Sequence, residues 1–242
     1  MQTSWKKFLQ ASLAENIKRV GTSATYASLA TITTDNKPAV RTVVIRGFVG
    51  EHHTEETGWK SDLLVITTNK GSHKIKELEA NPYIELNWYM NGTMEQFRIS
   101  GTIDIIKKNF NQSQLDNHFF DGQHLKKEDT RVEGQVATRS NKSLALQSFL
   151  IKQQLNHDTF DWQGERLRQF IELGSSMRAQ MVYSQKGVKE LEIKNIDPMT
   201  GWFKNEQVQD LLEEAFDNFT LLIVKVTSVR HWSPSTGLKV LL

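Results

Sequence analysis

Basic, hydroxyl and amide side chains occupy three separate stretches in the first half of this sequence. They are Arg41 and Arg46 in the first stretch, Thr67, Thr68, His73 and Lys74 in the second, and Gln96 and Arg98 in the third. A phosphate monoester is bound by guanidinium, ammonium and hydroxyl groups, and by free backbone N–H groups at a helix N-terminus. The second stretch offers all of these except the guanidinium, which Arg41 could supply. The residue types therefore indicate a site for a phosphorylated ligand; the alternative interpretation is a set of solvated charges at strand edges.

The spacing of the two arginines limits what they can do together. Arg41 and Arg46 are five residues apart, so on a regular strand their side chains face opposite sides. Both could reach one phosphate only across a β-bulge.

Several other kinds of chemistry lack support. There is no cysteine, so any redox chemistry must come from a cofactor. The seven histidines form no metal-binding pair at helical spacing with a third ligand, and the hydrolase, P-loop and Rossmann signatures are missing. A net charge of +2 with interleaved acidic and basic residues argues against nucleic-acid binding. Without a secretory signal or an apolar run of roughly 20 residues, a cytoplasmic protein with no membrane partner is expected.

Strands are predicted to carry most of the candidate side chains. Alternating and β-branched runs predict strands over 26–34, 40–48, 63–68, 83–90 and 93–106. Asp35-Asn36 predicts a turn between the first two strands, and Asn91-Gly92 predicts a type I′ turn between the last two. Ser72 is the predicted N-cap of a short helix that Asn81-Pro82 stops. The N-terminus of that helix is thereby placed beside the end of a strand.

Helices flank this strand-rich region. An amphipathic helix is predicted from about Ser4, and helical spacing recurs over 143–155, 165–173 and 208–216, before strand-like runs over 219–229 and 238–242. Residues 116–141 lack apolar periodicity and are predicted to form a long mobile excursion. The pattern predicts an α+β fold, mainly β, in which a small antiparallel barrel carries flanking helices. We expect one domain over 1–242, with a barrel core at about 20–108, helical additions at 109–217 and closing strands at 218–242.

Three segments resemble the successive FMN motifs of the pyridoxamine 5′-phosphate oxidase-like split barrels. They are RTVVIR at 41–46, TTNKGSHK at 67–74 and EQFRISG at 95–101, in the order in which the family has them. Together with NPYIELNWYM and SSMRAQM, they are most similar to the subgroup of Alr4036-type FMN-binding proteins. The resemblance implies an antiparallel FMN-binding split barrel.

The resemblance also implies roles for individual residues. Arg41 and Lys74 would bind the FMN phosphate, and Gln96 would hydrogen-bond the ring or the ribityl chain. Arg46 replaces a lysine that touches the substrate phosphate in the true oxidase. His73 replaces an arginine, which predicts a weaker and pH-sensitive phosphate affinity. The other implied cofactor contacts are Thr68 and Ser72 at the phosphate, Val43, Val44 and Thr67 along the isoalloxazine ring, Thr42 on the same strand as the two valines, and Arg178 and Gln180 from the other subunit.

The function that this resemblance implies is an FMN-dependent oxidoreductase with an unknown substrate. The alternatives are a non-catalytic FMN-binding, storage or regulatory protein, and a true pyridoxamine 5′-phosphate oxidase. The last lacks support because the oxidase's substrate-phosphate motif and its C-terminal Arg-x-His-Asp-Arg segment are missing. A barrel that binds haem is disfavoured because Arg41, Lys74 and Gln96 match the FMN pattern.

A homodimer with FMN at its interface is expected from the same family. Trp88, Tyr89 and Phe97 are predicted to lie on strand faces that a second copy would bury. The alternative is that the helices of the second half cover these faces within one chain.

Overall fold

The chain forms a closed β-barrel with helices packed around it. In the computed structural model, the residues that the structure describes are 4–51, 59–110, 125–127, 160, 162–183 and 208–242. The helices are α1 (Ser4–Val20), a 3-10 turn (Gly21–Thr25), α2 (His73–Ala80), α3 (Trp162–Glu172), α4 (Ser175–Tyr183) and α5 (Val208–Asn218). The strands are β1 (Tyr26–Ile32), β2 (Pro38–Phe48), β3 (Trp59–Ser61), β4 (Leu64–Asn69), β5 (Tyr83–Met90), β6 (Glu95–Ile106), β7 (Leu125–Lys127), β8 (Phe219–Ser233) and β9 (Gly237–Val240).

Six antiparallel strands close the barrel. Their order is β4-β2-β1-β5-β6-β8, and pairing between β4 and β8 completes the ring. Leu64 lies opposite Val224 in that last pairing, which joins distant parts of the chain. The β9 strand extends the sheet beyond β8, whereas β3 and β7 pair separately. The prediction of a mainly β, antiparallel barrel with flanking helices is confirmed.

The interior of the barrel is apolar, because every second residue of a strand points inward and most of these residues are apolar. Ile84, Leu86, Trp88 and Met90 of β5 are buried, as their two-residue spacing predicted. Helix α1 packs at the end of the barrel that carries the β5–β6 turn, and α2 packs at the end where β4 finishes. Their buried apolar residues, Trp5 and Leu9 from α1 and Ile75 and Leu78 from α2, belong to the same core as the strands.

A second apolar core lies between the outer face of β4 and β8 and the helices α3, α4 and α5. Strand β8 contributes to both cores: Leu222 and Val224 face the barrel interior, whereas Leu221 and Ile223 face the helices. The buried Arg166 of α3 ties this layer to the barrel, since its Nε donates to the Phe219 carbonyl at 2.7 Å. Burial lowers the pKa of Arg166 to about 10.

The turn between β5 and β6 differs from the predicted type I′ turn. Met90 pairs with Glu95, so four residues connect the strands, and neither Asn91 nor Gly92 has a positive φ. Contact with α1 sets the geometry instead: the Thr93 N–H donates to Asn16 Oδ1 at 3.1 Å. A Cβ atom at Gly92 would lie 2.8 Å from Asn16 Oδ1, so this glycine is needed for close approach.

Two of the aromatic residues predicted to need a second copy are interior residues. Trp88 and Phe97 are buried in the barrel core, and the Trp88 indole N–H donates to the Ala24 carbonyl at 2.7 Å. Only Tyr89 of the predicted three is exposed. Those two expectations were wrong because the alternation along β5 and β6 turns both side chains inward.

Some predictions fall beyond the residues that the structure describes. These are the helix over 143–155 and most of the excursion over 116–141, of which only β7 is described. Within the described ranges, no helix is both long enough and apolar enough to cross a bilayer.

Candidate functional site

Cationic and hydroxyl side chains meet where β4 ends and α2 begins. The chain reverses after Asn69, whose Oδ1 accepts the Gly71 N–H at 2.8 Å. The helix then starts at His73, which lets the Lys74 side chain reach back over the end of β4. Lys74 Nζ donates to Thr68 Oγ1 at 2.9 Å and to Ser72 Oγ at 2.5 Å. The turn therefore brings one ammonium and two hydroxyl groups together.

These contacts leave the cluster rich in donors. Because both hydroxyl oxygens accept from Lys74, the hydroxyl hydrogens of Thr68 and Ser72 point away from it and are available to an acceptor. Ser72 is the residue before α2, as predicted, but its side chain makes no capping hydrogen bond. The backbone N–H groups of His73 and Lys74 lie in the first helical turn and have no acceptor within the helix. Such an arrangement suits an anion.

Arg41 belongs to a second part of this site, at the same end of the barrel. Its side chain follows the inward register of β2, and its guanidinium reaches the end of the barrel against which α2 packs. Arg41 Nη2 lies 2.6 Å from Glu77 Oε2, and Nη1 donates to Thr31 Oγ1. The Thr31 hydroxyl in turn donates to Glu77 Oε2 at 2.6 Å. Thr31 and Glu77 thus hold one side of the guanidinium.

The two cations of the site act on each other. Burial lowers the pKa of Lys74, the charge of Arg41 lowers it further, and Glu77 opposes both effects. The positive charge on Lys74 is therefore unfavourable in the protein alone. A phosphate dianion beside Lys74 would remove that penalty.

Arg46 lies on the other face of β2, as its spacing from Arg41 predicted. Its Nε donates to Thr67 Oγ1 at 3.1 Å, and Nη2 contacts Met177 Sδ of α4 at 3.4 Å. Burial lowers the pKa of Arg46, while Tyr26 opposes the shift. The irregularity in β2 lies between Ile45 and Phe48 and does not bring the two arginines together.

Thr42, Val43 and Val44, which are expected to contact FMN, divide between the two faces of β2. Thr42 and Val44 point outward, whereas the Val43 side chain is buried in the barrel core, leaving its backbone for a ligand. Gln96 is also on the outer face, where its Nε2 donates to Asn87 Oδ1 at 2.8 Å. Two strands separate β2 from β6 on either side of the ring, so Val44 and Gln96 point outward from opposite sides of the barrel.

Helix α4, which carries Arg178 and Gln180, packs on the barrel of its own chain. The Met181 carbonyl accepts from Asn69 Nδ2 at 2.8 Å, close to the Lys74 cluster. Arg178 is buried and its Nη1 donates to the carbonyls of Ile171 and Leu173 at the end of α3. Burial lowers its pKa, with Glu172 acting in the opposite direction. Gln180 is exposed.

Thr31 and Glu77 are the site residues that the sequence did not indicate. Glu77 lies three residues after Lys74, a spacing that places two helical side chains on one side of α2. That spacing was a usable signal. Thr31 gave none, because its contact with Glu77 depends on how α2 packs against β1.

The outward side chains of β5, β6, β8 and β9 form a surface that the described residues leave uncovered, which we call the open face. Tyr89 and Trp232 flank Gln96 in one cross-strand row, and they are 48% and 40% exposed. Glu85 accepts from Arg98 Nε at 3.2 Å and from Arg230 Nη2 at 3.0 Å. Large apolar side chains also lie exposed on it, notably Tyr83, Leu238 and Val240.

Residues 2–107 match the family described as pyridoxamine 5′-phosphate oxidase, FMN-binding domain. Pyridoxine/pyridoxamine 5′-phosphate oxidase 2 of Arabidopsis thaliana is 41% identical over 102 residues, which cover 42% of this chain and 46% of the plant protein. Pyridoxine/pyridoxamine 5′-phosphate oxidase of Rubrobacter xylanophilus is 39% identical over 74 residues, which cover 31% of this chain and 29% of that protein. The aligned segment spans less than half the length of either relative.

A solved structure shares the fold over almost the whole chain. It is a pyridoxamine 5′-phosphate oxidase-related, FMN binding protein from Nostoc punctiforme, with a TM-score of 0.58 and 20% identity. The superposition covers 98% of this chain and 88% of that one. The chain is therefore similar to the FMN-binding domain of pyridoxamine 5′-phosphate oxidase over residues 2–107, and it shares its barrel fold with the Nostoc punctiforme protein.

Proposed function

We propose that this chain binds FMN, with the phosphate held by Arg41, Thr68, Ser72 and Lys74, and that it acts as an FMN-dependent oxidoreductase on a substrate yet to be found. The observation that carries the proposal is the cluster around Lys74, whose hydrogen-bond donors outnumber its acceptors. The family that residues 2–107 match is an FMN-binding one. When bound, FMN would supply the electron transfer, and the protein would supply its position.

The residues present fit a terminal phosphate. Arg41 and Lys74 carry two positive charges and Glu77 one negative charge, so a dianion finds a net attraction there. Donors come from side chains and from the first turn of α2. The outer face of β2, with Thr42 and Val44, is the surface proposed for the ring. Thr67 stands beside it on β4 and already contacts Arg46.

We further propose that the protein is a homodimer whose two flavin sites lie at the interface. The open face exposes aromatic and apolar side chains of a sheet, which a two-fold pairing would bury. The positions of Val44 and Gln96 suit the same arrangement, because side chains that point outward from opposite sides of one barrel reach the same flavin only from different subunits. Since α4 packs on its own barrel, Gln96 is a stronger candidate for the group supplied across the interface than Arg178.

We also propose that the chain is one domain. Strand β8 serves the barrel core with one face and the helical core with the other. Unfolding either core would expose apolar side chains of the same strand, so the two are expected to unfold together.

A titration with FMN tests the proposed site. Purified protein is expected to carry or take up FMN rather than FAD, seen as flavin absorption and as quenching of added FMN fluorescence. Lys74→Ala should weaken binding by about 1.5–3 kcal/mol, the usual contribution of a hydrogen bond to a charged group. Lys76→Ala, an exposed lysine of the same helix, is the matched control and should leave the affinity unchanged. Colourless protein that fails to quench FMN would refute the proposal.

A reduction experiment tests the catalytic part. Bleaching of the bound flavin by NADH or NADPH, followed by reoxidation in air, is expected of an oxidoreductase. Bound flavin that is reduced by light but not by NADH or NADPH would favour the storage or regulatory alternative.

A further inference from the structure

A buried carboxylate lies inside the proposed phosphate site. Glu77 is on the face of α2 that packs against the end of the barrel, and it is 8% exposed. Its Oε2 accepts two hydrogen bonds, from the Thr31 hydroxyl and from Arg41 Nη2, each at 2.6 Å. A negative charge beside an anion site opposes binding of the anion through space. Its presence there calls for a role that offsets this cost.

We infer that Glu77 is a positioning residue: with Thr31, it fixes the Arg41 guanidinium at the end of the barrel so that its remaining N–H groups face the phosphate held by Lys74. The inference rests on the proposed function and deepens it.

The geometry of the guanidinium supports this role. A guanidinium has five N–H groups in a rigid plane, so holding one edge sets the direction of the others. Thr31 takes an N–H from Nη1 and Glu77 takes one from Nη2. An arginine on a long flexible side chain otherwise loses conformational freedom when it binds a ligand. Two partners on neighbouring elements remove that freedom before the ligand arrives.

The charges around Glu77 are few. From its own helix, Lys74 interacts with it through space, and from β2 the guanidinium of Arg41 contacts it directly. From β1 the facing group is the neutral hydroxyl of Thr31. Glu79 of the same helix is exposed and pairs with Lys107 on the surface. Replacing Glu79 by a neutral residue removes one negative charge, as replacing Glu77 does, but breaks no contact with Arg41. Glu79 therefore provides the control.

The sign of the change in affinity distinguishes positioning from simple electrostatics. Glu77→Ala removes a negative charge, so electrostatics alone would tighten FMN binding. If Glu77 positions Arg41, the same variant binds FMN more weakly, by about tenfold, the loss expected when a charged group loses a fixed hydrogen-bonding partner. Glu77→Gln keeps an acceptor at the same reach and is expected to restore most of the affinity. Glu79→Gln should have no effect.

A double-mutant cycle with Arg41→Ala makes the test specific. Dissociation constants are measured by quenching of FMN fluorescence, and inorganic phosphate is used as a competitor to isolate the phosphate contribution. In the Arg41→Ala background, Glu77→Ala should weaken binding no further. Thr31→Val, which deletes the other hydroxyl contact without changing the shape of the side chain, should weaken binding in the same direction and decides the matter if Glu77→Ala does not fold.

Tighter FMN binding by Glu77→Ala would overturn the inference, as would a loss that is equally large without Arg41. The proposed FMN site fails in a different way, namely if Arg41→Ala and Lys74→Ala both leave FMN binding unchanged.

Discussion

The anion site lowers the stability of the protein without its ligand, and Lys74 shows why. Its ammonium group is half-buried near Arg41, and both circumstances lower its pKa. A lysine whose pKa is lowered by folding binds its proton more weakly in the native state than in the unfolded state. Below its ordinary pKa, the charged Lys74 therefore destabilises the fold, and this penalty diminishes as the pH rises through the lowered pKa. Binding sites commonly carry such a cost.

We expect Lys74→Met to stabilise the protein without FMN while abolishing tight FMN binding. In urea unfolding at pH 7, the variant should have a higher midpoint than the original chain, because the buried charge is gone. The difference should narrow as the pH rises through the lowered pKa of Lys74, because the native state then begins to lose this proton. Lys76→Met serves as the control, since Lys76 is exposed on the same helix. An unchanged midpoint at pH 7 would mean that Lys74 bears no penalty.

At the scale of single residues, the sequence predicted which residues form the site better than it predicted which side chains contact each other. Thr68, Ser72 and Lys74 lie within seven residues of one another, and a turn followed by a helix brings them together, as expected. The contact of Glu77 with Arg41 and Thr31 arises from packing of α2 against a hairpin far away in the sequence. Periodicity does not specify how a helix is placed on a barrel, so that part of the site required the structure.

The contact between α1 and the β5–β6 turn shows how one element can determine the geometry of another. Arg19 Nη1 donates to the Gly92 carbonyl at 2.9 Å, and Asn16 Oδ1 accepts the Thr93 N–H. The strands were predictable because alternation is a property of each strand by itself. The turn type was not, because side chains of α1 bind the backbone of the turn, and that contact depends on how α1 packs.

Gly92→Ala is expected to destabilise the protein by about 1–3 kcal/mol, the usual cost of inserting a methyl group where there is no room. The added Cβ would meet Asn16 Oδ1 at 2.8 Å and Arg19 Cβ at 3.0 Å. Gly174→Ala is the matched control, because a Cβ atom there meets nothing within 4 Å. Unfolding in urea measures both variants. Equal stability of the two would show that α1 yields without cost.

At the scale of the whole molecule, the open face is a surface that the described part of the chain leaves uncovered. The helices of the second half cover β4 and part of β8, not the surface around Tyr89 and Trp232. The described residues therefore show that these helices do not bury all the apolar strand faces, contrary to the alternative interpretation.

Tyr89→Arg is expected to shift the proposed dimer towards monomer, because a charge would enter the buried surface without a partner. Sedimentation at decreasing concentration, with and without FMN, measures the shift. FMN should favour the dimer if it binds only the assembled state. Ile17→Arg, at an exposed apolar position on α1, is the control. A Tyr89→Arg monomer that binds FMN with full affinity would show that each site is built within one chain.

Pyridoxamine 5′-phosphate and pyridoxine 5′-phosphate are expected to be poor substrates. Arg46, at the position of the lysine that touches substrate phosphate in the true oxidase, is engaged with Thr67 and covered by Met177 of the chain's own α4. Formation of pyridoxal 5′-phosphate can be followed with FMN-loaded protein. Turnover of about 1 per second or faster, the range of ordinary enzymes, would contradict this expectation.

The pairing of Leu64 with Val224 has a consequence for biosynthesis. A ribosome delivers β4 long before β8, so through most of translation the barrel has two unpaired edges and no closed interior. Long-range strand pairing of this kind slows folding and leaves edges that invite aggregation. The nascent chain holds every side chain of the proposed phosphate site well before that site has a rigid support. A ligand is therefore expected to bind only after β8 has been made and has closed the ring.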